Sequence, residues 1–133
     1  MKVIIVGCGI TGMELARRLI RKKNDVVIIE KDEYVSRHIS NRFDGMVING
    51  NGNDIQVLLE AGIKKASALV AVTDSDELNM IICGIGESLN PDILKIARVR
   101  NEDYVKALNF TDDRTFGINA LVYPDEEAAQ AII

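Results

Sequence analysis

Three glycines near the amino terminus have the spacing that phosphate binding requires. Gly7, Gly9 and Gly12 stand directly after a short apolar run and open a segment of helical period. In a strand–loop–helix unit, the first glycine permits a tight turn, the second lets a pyrophosphate approach the backbone, and the third lets helix and strand pack closely. The amides of Ile10, Thr11 and Gly12 would then face the phosphates at the positive end of the helix dipole. The spacing therefore predicts a phosphate-binding turn.

An acidic side chain follows this glycine loop where nucleotide recognition needs one. Glu30 stands eighteen residues after Gly12, at the end of the second apolar run. A carboxylate there can accept both hydroxyls of an adenosine ribose, and it would repel a 2′-phosphate. The neighbouring Lys31 would soften that repulsion. These residues favour NAD or an adenine nucleotide over NADP, although a simple tight turn followed by a solvated strand end is the alternative.

Polar residues also follow three later apolar runs, at the carboxyl ends of predicted parallel strands, where ligands bind. They are Asn51, Gly52 and Asn53 after the third run, Thr73 and Asp74 after the fourth, and Arg98 and Arg100 after the fifth. The asparagine loop suits an adenine edge, and guanidinium groups suit phosphate oxygens. Each set also has a plainer interpretation, namely a turn with an Asn cap, a helix N-cap at Asp74, and ordinary surface arginines.

The elements that must position these residues alternate along the chain. Apolar, β-branched runs predict strands over residues 3–6, 26–29, 46–48, 68–72, 93–97 and 120–123. Helical spacing predicts helices over residues 11–23, 33–43, 55–61, 76–89 and 102–108, and a last helix from Asp125 onward. Either Asp74 or Ser75 is expected to cap the fourth helix. Residues 109–119 are expected to form a loop with little structure.

The strands are solid apolar runs, which is typical of a parallel sheet covered by helices on both faces. Right-handed crossovers leave few ways to connect six such strands. We therefore expect an α/β fold with a doubly wound, six-stranded parallel sheet of the Rossmann type, strand order 3-2-1-4-5-6, and helices on both faces.

Composition excludes several classes of function. The chain has 133 residues, 47% of them hydrophobic, and a net charge of -4, so it lacks the basic footprint of a general nucleic-acid-binding protein. No apolar run approaches the roughly 20 residues of a membrane span. The two cysteines, Cys8 and Cys83, and the single histidine, His38, form no cluster. We therefore expect reduced core thiols, no metal site and no catalytic residues.

Seven segments in a characteristic order carry a family resemblance: residues 6–12, 29–32, 49–50 with 59–63, 71–79, 96–100, 116–119 and 124–125. Over its whole length the chain resembles the nucleotide-binding N-terminal domain of bacterial and archaeal potassium-transport regulators, the Trk-type regulatory subunits and related regulators of potassium conductance. The resemblance implies a non-enzymatic, cytoplasmic domain, peripheral at the inner face of the membrane. Such a domain switches an integral-membrane potassium transporter according to bound NAD(H), ATP or ADP, with AMP a further possibility.

The same resemblance implies an assembly and a domain division. Members associate as dimers and tetramers, and a crossover helix leads from the nucleotide-binding domain to a second domain. Residues 1–124 are accordingly assigned to the nucleotide-binding domain. Residues 125–133 are assigned to the start of a linker helix toward a missing C-terminal domain, which would explain the bare apolar end at Ile132 and Ile133.

By position, the resemblance also implies roles for the candidate residues. The glycine loop would hold phosphates and Glu30 the adenosine ribose, with the other contacts assigned as follows: Asn51 and Asn53 at the adenine, Thr73 and Asp74 at the second ribose or nicotinamide, and Arg98 and Arg100 at terminal phosphates. Two departures stand out. The family often has Gly-Asp-Ala-Thr over residues 50–53, where this chain has Gly-Asn-Gly-Asn, and Glu30 replaces a commoner Asp.

The alternative function is the cofactor-binding half of an NAD-dependent dehydrogenase. Hydride transfer needs a proton donor or acceptor near the nicotinamide. His38 falls on the predicted second helix, away from that position, and no Tyr-x-x-x-Lys pair occurs in the sequence. A dehydrogenase would need its catalytic groups from a further domain.

Overall fold

The structure is a computed structural model that describes residues 1–110 and 115–122. Its strands are β1 (Lys2–Val6), β2 (Asp25–Glu30), β3 (Met46–Asn49), β4 (Ala68–Ala71), β5 (Leu94–Arg98) and β6 (Ala120–Val122). Its helices are α1 (Ile10–Arg21), α2 (Glu33–Ser40), α3 (Ile55–Glu60), α4 (Asp76–Leu89) and α5 (Glu102–Phe110), and a 3-10 turn covers Thr115–Gly117. None of these helices combines the length and apolar character needed to span a bilayer.

The six strands form one parallel sheet in the order β3-β2-β1-β4-β5-β6, which confirms the predicted topology. The register brings the carboxyl ends of the strands to one edge. Val6 at the end of β1 pairs with Ile29 on one side and with Ala71 on the other. The strand order reverses between β1 and β4, so a crevice opens there between connections that leave in opposite directions. The candidate residues all lie at this edge, either as the last residue of a strand or after it.

Side chains of β1 alternate between two apolar clusters, one on each face of the sheet. Val3 and Ile5 pack with α1 and α2, whereas Ile4 and Val6 pack with α3 and α4. All four side chains are at most 3% exposed. Helices therefore cover both faces, as the uninterrupted apolar strands predict.

The prediction that residues 109–119 form a loop with little structure was wrong for the part of this segment that the structure describes. Helix α5 continues to Phe110, and Thr115–Gly117 form a 3-10 turn. Asn119 fastens this segment to β5, because its Oδ1 accepts the Lys95 N–H at 2.7 Å and its own N–H donates to the Lys95 carbonyl at 2.8 Å. This order comes from a tertiary contact, which local composition does not reveal. The predicted end of the sixth strand at residue 123 and the last helix lie outside the described residues.

Candidate functional site

The glycine loop has the geometry that its spacing predicts. Gly7 has φ +97°, and a Cβ there would lie 2.9 Å from the Val72 carbonyl oxygen at the end of β4. A Cβ on Gly12 would lie 2.2 Å from the Gly7 carbonyl oxygen. Gly9 is different, since a Cβ there would meet no atom within 4 Å. Gly7 and Gly12 are therefore needed for the fold of the turn, whereas Gly9 leaves an open approach to the backbone.

The amino end of α1 differs from those of the other helices. Side-chain oxygens cap the other four helices: Asp32 caps α2, Asp54 caps α3, Ser75 caps α4 and Asn101 caps α5. The first turn of α1 has no side-chain cap and no acidic residue. Its first helical hydrogen bond runs from the Met13 N–H to the Gly9 carbonyl. Within the described residues, the amides of Ile10, Thr11 and Gly12 have no acceptor, so they are available to an anion.

Glu30 joins the end of β2 to the glycine loop. Its Oε1 accepts the Cys8 N–H at 3.2 Å and the Cys8 thiol at 2.9 Å, and its Oε2 accepts the Asp32 N–H at 2.7 Å. Burial and the Glu30 carboxylate together raise the pKa of the Cys8 thiol, which therefore stays protonated and donates. The carboxylate is thus held against the glycine loop, and Lys31 is exposed next to it.

The asparagine loop after β3 lies against the end of β1. Gly52 is buried, and a Cβ there would lie 2.4 Å from Val6 Cγ1 and 3.0 Å from Ile82 Cδ1. Asn51 and Asn53 on either side are exposed. The close packing at Gly52 therefore holds the loop against the end of β1, and both amide side chains are open to solvent and to a ligand.

A buried asparagine organises the end of β4. Asn79 on α4 is 0% exposed. Its Oδ1 accepts the Thr73 N–H at 2.9 Å and lies 2.6 Å from Thr73 Oγ1, while its Nδ2 donates to the carbonyls of Thr73 at 3.2 Å and Arg98 at 2.8 Å. The expectation that Asp74 caps α4 is wrong and the Ser75 alternative is confirmed, since Ser75 Oγ accepts the Leu78 N–H at 3.1 Å. Asp74 is left fully exposed.

The two arginines at the end of β5 are placed differently. Arg98 Nη2 donates to the carbonyls of Val72 at 2.8 Å and Thr73 at 2.7 Å, and lies 3.8 Å from Asp74 Oδ1. Burial, and then the charge of Arg100, lower the pKa of the Arg98 guanidinium. Arg100 is exposed, and its Nη2 lies 3.4 Å from the Asp74 carbonyl. The fold thus brings both guanidinium groups to the end of β4, with Arg98 engaged by the backbone and Arg100 open to solvent.

Sequence reasoning missed Asn79 as a site-forming residue and treated Cys8 only as a small buried side chain. A signal for Asn79 existed, because it lies on the same stripe of α4 as the buried Ile82, Cys83 and Gly86. A polar residue on a buried stripe must find partners, and the nearest are the strand ends beneath the first turn of the helix. Nothing in the sequence indicates that the Cys8 thiol meets Glu30.

His38 lies away from this edge of the sheet. It is exposed on α2 and stacks on Tyr34, with ring centroids 6.3 Å apart. Over residues 1–110 and 115–122, no cluster of His, Cys, Asp and Glu side chains has the arrangement to hold a metal ion. Among the described residues, the polar groups at the crevice suit ligand binding, with hydrogen-bond donors at α1 and a carboxylate at β2.

Comparison with known proteins gives the same picture from sequence and from structure. The sequence model of the TrkA-N domain family matches residues 3–124. A Trk system potassium uptake protein TrkA from Halomonas elongata is 36% identical over 126 residues, which cover 95% of this chain and 28% of that protein. The chain therefore spans little more than a quarter of the length of this relative.

Two solved structures share the fold. The TrkA-N domain of the inner membrane protein ybaL from Escherichia coli matches with a TM-score of 0.82 at 23% identity, covering 98% of this chain and 93% of that one. The GsuK channel bound to NAD matches with a TM-score of 0.78 at 22% identity, covering 91% of this chain and 21% of that one. At these identities the two matches establish the common fold.

Proposed function

Because this chain belongs to the TrkA-N family, we propose that it is a nucleotide-binding regulatory domain of a potassium uptake system. It binds NAD(H), or alternatively ATP, ADP or AMP, and the bound nucleotide switches a membrane potassium transporter or channel. The observation that carries the nucleotide part is the amino end of α1. Its first amides lack the side-chain cap that α2 through α5 have, and the Glu30 carboxylate accepts from the Cys8 N–H two residues before this helix.

The residues at the glycine loop fit the phosphate and ribose of a nucleotide. An uncapped helix end leaves backbone N–H groups that an anion satisfies, and the open space at Gly9 permits close approach. The Glu30 oxygens that accept the Cys8 and Asp32 amides have further acceptor capacity for ribose hydroxyls. A 2′-phosphate would meet this carboxylate, so we propose NAD(H) over NADP(H), with Lys31 adjacent.

The other parts of the nucleotide are assigned to residues at the ends of β3, β4 and β5. Asn51 and Asn53 would lie by the adenine, with Gly52 holding their loop against β1. On the other side of the crevice, Thr73 and Asp74 would lie by the second ribose or the nicotinamide. Arg98 and Arg100 would lie by the terminal phosphates of ATP or ADP. The exposure of Asn51, Asn53 and Arg100 supports these assignments, since each is free to contact a ligand.

The regulatory part of the proposal rests on the relatives. The matched curated protein is named as a potassium uptake protein rather than as an enzyme. The GsuK structure is that of a channel bound to NAD, and its fold matches this chain. We therefore propose that this domain is cytoplasmic, assembles with copies of itself as a dimer or tetramer, and contacts an integral-membrane potassium transporter. The proposal also assigns residues 1–124 to the nucleotide-binding domain and residues 125–133 to the start of a linker helix that leads to a further domain.

The dehydrogenase alternative lacks a supporting contact among the described residues. Hydride transfer needs an acid or base beside the nicotinamide. His38 lies on α2, exposed and stacked on Tyr34, and the Cys8 thiol is held protonated beside Glu30. NADH fluorescence separates the two functions, because a regulatory domain binds NADH without oxidising it when candidate carbonyl substrates are added.

Calorimetry with Glu30→Ala tests the nucleotide site. The wild-type chain is titrated with NAD, NADH, ATP, ADP and AMP. Glu30→Ala should weaken NAD binding by about 1–3 kcal/mol, the scale of a hydrogen bond to a charged group. Glu60→Ala is the matched control, since Glu60 is an exposed carboxylate at the end of α3. Unchanged NAD affinity in Glu30→Ala, or no affinity of the wild type for any of the five nucleotides, would contradict the proposal.

A further inference from the structure

The amide of Asn79 can adopt only one orientation in this fold. The Thr73 N–H can only donate, so the atom that faces it must be Oδ1. The carbonyls of Thr73 and Arg98 can only accept, so the atom that faces them must be Nδ2. Exchanging the oxygen and the nitrogen would break all of these bonds. The hydrogen-bond network therefore fixes which way the amide points.

The orientation of Asn79 determines where the Thr73 hydroxyl proton points. Asn79 Oδ1 carries no hydrogen, so its 2.6 Å contact with Thr73 Oγ1 requires the hydroxyl to donate. The Ser75 N–H donates to the same Oγ1 at 3.3 Å, and the Ser75 carbonyl, also 3.3 Å away, is a second and weaker internal acceptor for the hydroxyl. The single hydroxyl proton is thus directed into the protein. Toward a ligand in the crevice, Thr73 Oγ1 has only acceptor capacity left.

We propose that Asn79 is a positioning residue that makes the Thr73 hydroxyl an obligatory hydrogen-bond acceptor for the ligand. This inference rests on the proposed function and specifies the ligand class at the end of β4. Ribose hydroxyls and a carboxamide NH2 group donate hydrogen bonds, whereas ionised phosphate oxygens only accept them. The end of β4 therefore selects the second nucleoside of a dinucleotide such as NAD(H) over the phosphate chain of ATP.

The charged groups around Thr73 also favour a hydrogen-bond donor over a phosphate at this position. The carboxylate of Asp74 is fully exposed beside it and is a second acceptor, which repels phosphate and accepts from hydroxyls. Arg98 Nη2 already donates to the carbonyls of Val72 and Thr73, so this nitrogen is not available to a phosphate at Thr73. A phosphate at Thr73 would face an acceptor hydroxyl and a negative charge. A ribose or carboxamide would find partners for its donors.

The test compares NAD with AMP, which has only the adenosine phosphate half of the dinucleotide. Thr73→Val removes the hydroxyl and keeps the β-branched shape, and Thr73→Ser keeps the hydroxyl. Thr73→Val should lower the affinity for NAD by about 2- to 12-fold, the value of one neutral hydrogen bond. The affinity for AMP should fall by less, so the ratio of NAD to AMP affinity decreases. Thr73→Ser should restore that ratio.

Asn79→Ala supplies an independent readout. Without Oδ1, the Thr73 hydroxyl keeps only the longer 3.3 Å contact with the Ser75 carbonyl. It can then turn to donate into the crevice, so ATP affinity should rise relative to NAD affinity, provided that the variant still melts cooperatively. A purely structural role for Asn79 would weaken NAD, ATP and AMP by one common factor. Equal losses of NAD and AMP in Thr73→Val, or no loss of either, would overturn the inference. Wild-type protein that binds neither nucleotide would instead overturn the proposed function.

Discussion

The two sides of the crevice use their polar groups in opposite ways. At the ends of β1 and β2, the first three backbone amides of α1 have no acceptor among the described residues, and the Glu30 carboxylate accepts from Cys8 in the same loop. At the ends of β4 and β5, Asn79, Thr73 and Arg98 bond to one another and to strand carbonyls. The first side offers its groups to a ligand, whereas the second uses most of them to define its own shape.

This difference predicts that the two sides of the crevice contribute differently to ligand binding. Binding strength should come from the glycine-loop side, because groups without internal partners gain most from a ligand. Discrimination between ligands should come from the side of β4 and β5, because donors and acceptors fixed by internal bonds cannot adapt to the wrong partner. Substitutions on the two sides should therefore have different consequences.

The largest expected effect is at Gly12. In Gly12→Val, a Cβ would lie 2.2 Å from the Gly7 carbonyl oxygen, so the loop must move. We expect the free energy of unfolding to fall by about 1–3 kcal/mol or more and NAD binding to be lost. Chemical denaturation and calorimetry measure the two effects.

Gly9→Ala is the matched control for the fold. A Cβ there would meet no atom within 4 Å, so its stability should change by about 1 kcal/mol or less. Its NAD affinity should still fall, since the methyl group stands where a phosphate approaches. If Gly9→Ala binds NAD as tightly as the wild type, the glycine-loop side does not supply the binding strength.

A smaller effect is expected at Arg98, on the discriminating side. Arg98→Ala should weaken ATP binding by about 1.5–3 kcal/mol, as for a hydrogen bond to a charged group, and should weaken NAD binding less. This result would be the reverse of that for Thr73→Val. Arg21→Ala, a change in an exposed arginine at the far end of α1, controls for net charge. Equal losses of ATP and NAD affinity would show that Arg98 does not contact terminal phosphates.

The effect that is smallest at neutral pH, because it develops only above about pH 9, concerns the buried thiols Cys8 and Cys83, one on each side of the crevice. Burial raises the pKa of Cys83 to about 12 from a model-compound value of 9.0, and the pKa of Cys8 is raised by burial and by Glu30. A raised pKa favours the protonated folded state, so this stability is complete below about pH 9 and is lost as pH rises toward the folded-state value. The free energy of unfolding should therefore fall by up to about 1.4 kcal/mol per pH unit for each thiol.

Denaturation of Cys8→Ala and Cys83→Ala between pH 8 and about pH 11 measures these contributions. Each variant should lose stability less steeply than the wild type above about pH 9. Parallel curves for wild type and Cys8→Ala would show that the thiol is not held against Glu30 in the folded protein. Parallel curves for Cys83→Ala would show that the α4 thiol is accessible to water.

Much of the fold follows from local patterns in the sequence. The uninterrupted apolar runs and the helical spacing predicted all six strands of the sheet and their order, because buried parallel strands and right-handed crossovers leave few alternatives. Ser75, the cap of α4, was likewise one of the two residues predicted there, since an N-cap depends on bonds within one turn. The 3-10 turn at Thr115–Gly117 was not predicted, because Asn119 and Lys95 hold it from outside the segment.

The sequence by itself determined which glycines must turn the chain and which strand ends carry polar groups, since both depend on residue type and short-range spacing. Only the tertiary structure decided which of those groups meet. The bond from Cys8 to Glu30 spans 22 residues, and the bond from Asn79 to Arg98 spans 19. Such pairs depend on strand register and helix placement to within the length of a hydrogen bond, and no local pattern encodes a distance that fine.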